Sequence, residues 1–93
     1  MRQAVIRMKI EYAKAAVKAL HEMDKPTKSR IKAGIEGLAK IPPEGDIKPM
    51  KGVSDGRLRL RIGKYRVVYK YLLDNTLAIL YIMDIGSRGD IYK

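Results

Sequence analysis

An α+β fold is predicted: two helices, joined as an αα-hairpin, cover one face of a small, mainly antiparallel twisted sheet in the order β-α-α-β-β-β. Three features predict it. Residues 57–62 alternate strictly as Arg-Leu-Arg-Leu-Arg-Ile, and residues 65–71 are β-branched and aromatic, with Gly63-Lys64 between them. Apolar residues recur at helical spacing on either side of a short break near Pro26. The run at 76–85, Thr-Leu-Ala-Ile-Leu-Tyr-Ile-Met-Asp-Ile, is apolar on both faces, as a central strand requires.

Residues 3–10 read as the first strand, in phase at Ile6, Met8 and Ile10. Residues 11–23 read as a helix whose buried stripe is Ala13, Ala16, Val17, Leu20 and Met23. Lys14, Lys18 and Glu22 fall on its solvent side, with His21, the only histidine, at the rim. Pro26 suits the first turn of a second helix. Ile31, Ile35 and Leu38 mark its apolar stripe, with Ile41 at its end, and Pro42-Pro43 stops it. Gly34 and Gly37 cost helix propensity and are expected to permit close packing of the first helix. Residues 42–56 form a Pro- and Gly-rich connection, pinned to the core by Ile47 and Met50.

The 57–70 hairpin carries the most information. A Gly-X pair suits a two-residue type II′ turn. That turn sets Ile62 opposite Tyr65, Arg61 opposite Arg66, Leu60 opposite Val67, Arg59 opposite Val68, Leu58 opposite Tyr69 and Arg57 opposite Lys70. Opposed residues share a face. One face is therefore apolar, and helices cover it. The other holds Arg57, Arg59, Arg61, Arg66 and Lys70, with no acid between Gly56 and Leu73, and is expected to stay open. A one-residue slip would break both faces, so the pattern fixes its own register. Five cations on one face repel one another. Arginine forks match phosphate geometry, so a polyanion site accounts for them better than a merely solvated surface. Asp74-Asn75 is a second turn, and the Gly-flanked stretch from Gly86 to Gly89 is a third.

The 93 residues suit one small domain, 1–93, and 46% apolar content builds one modest core. No cysteine is present, so disulfides and thiolate metal sites are excluded. No apolar run spans a membrane and no signal peptide is evident, which makes a cytoplasmic protein the expectation. Twenty Lys/Arg against ten Asp/Glu give a formal charge of +10 and point to nucleic acid or an acidic protein partner. With no Trp or Phe, an aromatic single-strand platform is disfavoured, although six Tyr could stack.

Several chemistries lack their residues. A two-histidine nuclease needs a second imidazole. A two-metal nuclease needs clustered carboxylates, whereas the acids here are scattered, Asp84 and Asp90 being the closest pair near the sheet end. No phosphate-binding Gly loop precedes a helix, and His21 on an outer helix completes no Ser-His-acid set. No metal or cofactor is expected. What remains is the arginine face, Arg88 and Tyr92. RNA supplies its own nucleophile, the 2′-hydroxyl, so a protein that orients the strand and stabilises phosphoryl charge can promote cleavage. Arginines do the second task and do not deprotonate; nearby positive charge favours a phenolate at Tyr92.

Residues 47–52 (Ile-Lys-Pro-Met-Lys-Gly), the Gly63-Lys64-Tyr65-Arg66-Val67-Val68-Tyr69 block and residues 85–92 together resemble the RelE/ParE superfamily of type II toxin–antitoxin toxins, and more closely its RelE branch. The resemblance covers nearly the whole chain. It implies an mRNA interferase that enters the ribosomal A site, cuts messenger RNA and is held inactive by a small antitoxin that wraps it. It implies catalytic roles for Arg66 at the phosphoryl transition state, Arg88 near the leaving oxygen, Tyr92 as base and Arg59 in polarising the phosphate. It implies RNA contacts from Arg57, Arg61, Lys51 and Lys70. The RelE type carries lysines where this chain has Arg57 and Arg59, which removes a titratable amine from both positions. A gyrase-inhibiting toxin of the ParE kind, or a plain nucleic-acid binder, are the competing expectations.

Overall fold

The computed structural model describes residues 8–50, 52, 55–74 and 77–87. Its elements are β1 (Met8–Tyr12), α1 (Lys14–His21), α2 (Lys25–Gly37), β2 (Asp46–Pro49), β3 (Leu58–Ile62), β4 (Tyr65–Asp74) and β5 (Leu77–Ser87). One five-stranded sheet has the order β1-β5-β4-β3-β2, antiparallel except where β1 runs parallel to β5. The expected layout therefore holds, with one short strand added at the edge.

That strand is β2. The Pro/Gly-rich connection does more than pin itself by Ile47: Asp46 to Pro49 pair with Arg61 to Leu58. Its shortness and its proline suit a sheet edge, where unpaired backbone groups must not invite a further strand.

β1 runs on past Ile10 to Tyr12, and α1 starts at Lys14 instead of residue 11. Met8, Ile10 and Tyr12 keep one alternation, pair with Ala78, Leu80 and Ile82, and pack on the core. The Ala13 amide then donates to Ile82 O at 2.9 Å, which holds the strand–helix corner to β5. The phase of α1 shifts accordingly. Ala16, Ala19, Leu20 and Met23 face the core, while Val17 is 40% exposed.

A three-residue link leads to α2, making the expected αα-hairpin. Asp24 caps α2 by accepting the Thr27 amide at 3.0 Å, and Pro26 stands in its first turn. Ile31, Ile35 and Leu38 are fully buried. Ile41 lies beyond the helix, out of phase, and is 70% exposed. Gly34 serves β3, not the first helix: a methyl there would run into Ile62 Cδ1 and approach Leu60 Cδ2. Gly37 takes the returning chain, its carbonyl accepting the amides of Lys40 and Glu44 at 3.3 and 3.0 Å.

The β3–β4 register matches the expected one from Leu58↔Tyr69 to Ile62↔Tyr65, and the ladder stops short of Arg57. Gly63 has φ +59°, as primed two-residue turns require at their first position. Leu60, Val67 and Tyr69 lie in the core beside Leu58, Ile62 and Tyr65. Tyr71 extends the row, meets Tyr69 edge-to-face at 5.6 Å, and donates its hydroxyl to Leu38 O at 2.9 Å. Burial pushes the Tyr69 and Tyr71 phenols above their ordinary values. β5 is central as expected, but Gly86 and Ser87 belong to the strand, opposite Arg66 and Tyr65, and do not open a turn there.

Candidate nucleic-acid interface

The face of the sheet away from the helices is set by the pairings. Lys48 on β2 lies beside Arg59, then Val68 on β4, then Asp84 on β5. One row along, Asp46 lies beside Arg61, Arg66 and Gly86. Lys70 opposes Tyr81 on β5. Five basic side chains from three neighbouring strands thus share one surface.

This surface is less open than the sequence suggests. Arg59 and Arg66 are each only 8% exposed, and Val68 between them is buried. For Arg59 the reason is β2. Its Nη1 donates to Asp46 O at 3.1 Å and stands 3.6 Å from Asp46 Oδ1, so the edge strand fixes its guanidinium. Arg57 precedes β3, and its Nε pairs with Asp55 Oδ2 at 2.8 Å. Its carbonyl accepts the Met50 amide at 3.3 Å. Arg61 and Lys70 are half-exposed. Lys51, Arg88 and Tyr92 lie outside the described residues.

Sequence reasoning missed the acids of this face. The 57–72 segment carries none, but Asp55, Asp46 and Asp84 supply them from before the hairpin, from the unforeseen edge strand and from β5. Only Asp55, adjacent in sequence to the basic run, left a signal that could have been used. The distribution of cation types is also informative. On the sheet face they are mainly arginine, whereas Lys14, Lys18, Lys25, Lys28 and Lys32 populate the helices. Arginine's rigid fork suits bidentate phosphate contact, and lysine serves as a point charge.

On the helical side, Tyr12, Val17, Leu20, His21, Lys28 and Lys32 line a groove of about 220 Å³. Burial, and then the charge of Glu36, raise the Tyr12 phenol above its ordinary value. No helix of the described residues is long and apolar enough to cross a membrane.

Residues 10–92 match the family described as ParE toxin of the type II toxin–antitoxin system parDE. This chain belongs to that family. It is also 37% identical over 91 residues, 95% of its own length and 98% of the relative's, to a Methanocaldococcus jannaschii protein named "Putative toxin RelE1". The toxin fold recurs in the RelB–RelE antitoxin–toxin complex of Methanococcus jannaschii, with a TM-score of 0.65 and 27% identity, covering 88% of this chain and 94% of that one. An archaeal RelE–RelB complex from Pyrococcus horikoshii aligns with a TM-score of 0.70 at 24% identity over 90% of this chain and 98% of the other. The YoeB/ParE toxin of Agrobacterium tumefaciens aligns at 0.72 and 19% identity, over 86% and 98%. The protein is a toxin of a type II toxin–antitoxin system in the RelE/ParE superfamily.

Proposed function

We propose that this toxin is a ribosome-dependent endoribonuclease that cuts messenger RNA in the A site by attack of a 2′-hydroxyl on the adjacent phosphate. The arginine face carries the proposal. Arg61 and Arg66 lie directly opposite each other, with Arg59 and Lys70 on the same surface. Like charges directly opposed destabilise a sheet, and a bound phosphodiester offsets that cost. Arg66 stabilises the phosphoryl transition state, with Arg88 near the departing oxygen and Tyr92 as a proton-transfer group. Arg57 and Arg59 hold the phosphate in a fixed orientation, and Arg61, Lys51 and Lys70 contact RNA backbone. None of these steps calls on a metal.

A cognate antitoxin is the second partner. The groove between the helices offers apolar walls from Tyr12, Val17 and Leu20 beside Lys28 and Lys32. An acidic segment with apolar anchors complements it, and charge complementarity speeds such an association.

The family match to a ParE toxin supports a second reading, inhibition of DNA gyrase without nuclease chemistry. The carboxylates that hold Arg57 and Arg59 fit it as well, since they occupy groups that a nuclease would turn on phosphate. One experiment separates the two. A defined message is translated on purified ribosomes with and without the toxin, and its ends are mapped by primer extension. New ends inside A-site codons, absent without ribosomes, are the expected result. Intact message together with accumulating cleaved DNA in arrested cells overturns the nuclease reading in favour of gyrase.

A further inference from the structure

The geometry points to Asp84 as a further catalytic residue of the same reaction, the group that accepts the proton of the attacking 2′-hydroxyl in place of Tyr92, the base that the family resemblance implies. The inference rests on the RNA-cleaving reading above.

A β-bulge places Asp84 where it is. Tyr69 pairs with Ile82 and Val68 with Asp84, so Met83 is the extra residue on β5. Up to Ile82 the even-numbered residues of β5 face the core. Had that alternation continued, Asp84 would point under the helices and Ile85 would point out. The bulge reverses the phase beyond Met83. Ile85 is buried in the core, and Asp84 lies exposed on the arginine face opposite Val68. Bulges of this kind re-aim side chains and cluster next to active sites.

The surroundings of Asp84 define its task. Its Oδ1 accepts the Ile85 amide at 2.9 Å, which fixes the carboxylate and leaves Oδ2 without a hydrogen-bond partner among the described residues. Among the described residues it forms no ion pair, whereas Asp46 and Asp55 each hold an arginine. It is therefore not another counter-ion of that kind. A carboxylate is an acceptor only and repels phosphate, so the RNA group that docks on it must be a neutral donor. Two residues further along β5, Gly86 opposes Arg66 and offers no side chain. A phosphate held by Arg66 can rest over this bare backbone, about two strand residues, or roughly 7 Å, from Asp84 along the strand. The donor adjoining that phosphate is the 2′-hydroxyl that attacks it.

The step balances without a co-reactant other than water. The 2′-hydroxyl proton passes to Asp84 Oδ2 as the 2′-oxygen bonds to phosphorus, and the bond from phosphorus to the 5′-oxygen breaks. The products are a 2′,3′-cyclic phosphate and a 5′-oxygen that takes a proton from water. The hydroxide left behind recovers the proton from Asp84.

The test is single-turnover cleavage of a defined message on purified ribosomes. Asp84→Asn keeps an Oδ1 acceptor for the Ile85 amide and so preserves the bulge. It should cut about 100-fold more slowly, bind programmed ribosomes no more weakly than the unmodified toxin, and Asp84→Glu should recover part of the rate. A message with sulfur in place of the bridging 5′-oxygen loses its leaving group without a proton, so it should not rescue Asp84→Asn. Cleavage by Asp84→Asn within a few fold of the unmodified toxin overturns the assignment, and rescue by the sulfur substrate overturns it in favour of an acid role. In both cases the nuclease reading stands. An unmodified toxin that leaves the message intact removes the nuclease reading and this assignment together.

Discussion

The two faces of the β3–β4 hairpin are built from one alternating stretch of chain, yet they behave as different materials. Leu60, Val67 and Tyr69 on the inner face are sealed beneath α2 and close-packed with Ile31, Ile35 and Leu38. Arg59, Arg61, Arg66 and Lys70 on the outer face are held against their mutual repulsion by β2 and by the backbone ladder. The inner face supplies the stability that the outer face spends. A surface of opposed arginines survives only because the same hairpin is anchored from behind. Folding and the proposed RNA contact are thus divided by the pleat of the strand, residue by residue, so each can be damaged with limited effect on the other.

Leu60→Ala attacks the inner face and should produce the largest effect, a loss of about 2–5 kcal/mol in urea unfolding. Leu60 is 1% exposed and fills the space beside Gly34 and Gly45. Arg66→Ala attacks the outer face. It should slow message cleavage about 10²- to 10³-fold, the size found for removal of one donor to a developing oxyanion. Its urea midpoint should move less than that of Leu60→Ala; an equal or larger shift would mean that Arg66 is chiefly a structural residue. Arg66→Lys should not restore the rate, because an ammonium lacks the fork.

A smaller effect is expected at Tyr71→Phe. This change removes the hydroxyl bond to Leu38 O and should cost about 1 kcal/mol of stability, with cleavage unaltered. The pH dependence sharpens the same contrast. Burial holds the Tyr12, Tyr69 and Tyr71 phenols above their ordinary value of about 10. Their folded-state values are raised, so the stabilisation is complete below the unfolded value and is lost as pH climbs through the folded ones. Phenolate absorbance on alkaline titration should therefore show these tyrosines ionising late. Early, uniform ionisation of all six would contradict an intact inner face. At the other extreme of pH, the Thr27 hydrogen bonds lower the Asp24 carboxyl. The cap of α2 should hold above the ordinary carboxylate range and weaken only as pH falls through its lowered folded-state value, a minor change visible in helical circular dichroism.

The hairpin was legible in the sequence because two independent signals, strict alternation and a Gly-X turn, agreed on one register. The α2 stripe was legible for a similar reason, since Ile31, Ile35 and Leu38 repeat at helical spacing. What stayed hidden depended on partners distant in the chain. β2 has four residues, one of them proline, and exists as a strand only because β3 offers it a ladder. The start of α1 was misplaced because Tyr12 continues the alternation of Met8 and Ile10 while also fitting a helical window. The bulge at Met83 could not be read, since a strand apolar on both faces conceals its own phase. Asp84 therefore gave no sign that it shares a surface with the arginines. Of the expected site, Arg59, Arg61, Arg66 and Lys70 are on one face, Arg57 stands at its margin, and Lys51, Arg88 and Tyr92 fall outside the described residues.

The division of labour between the two faces is tested most directly by combining Arg61→Ala with Arg66→Ala and measuring, on one preparation, circular dichroism and cleavage of a ribosome-bound message. The predicted result is a folded protein with the spectrum of the unmodified toxin that produces no new ends in A-site codons. A folded double variant that cuts the message at the unmodified rate would show that the arginine face does not perform the chemistry.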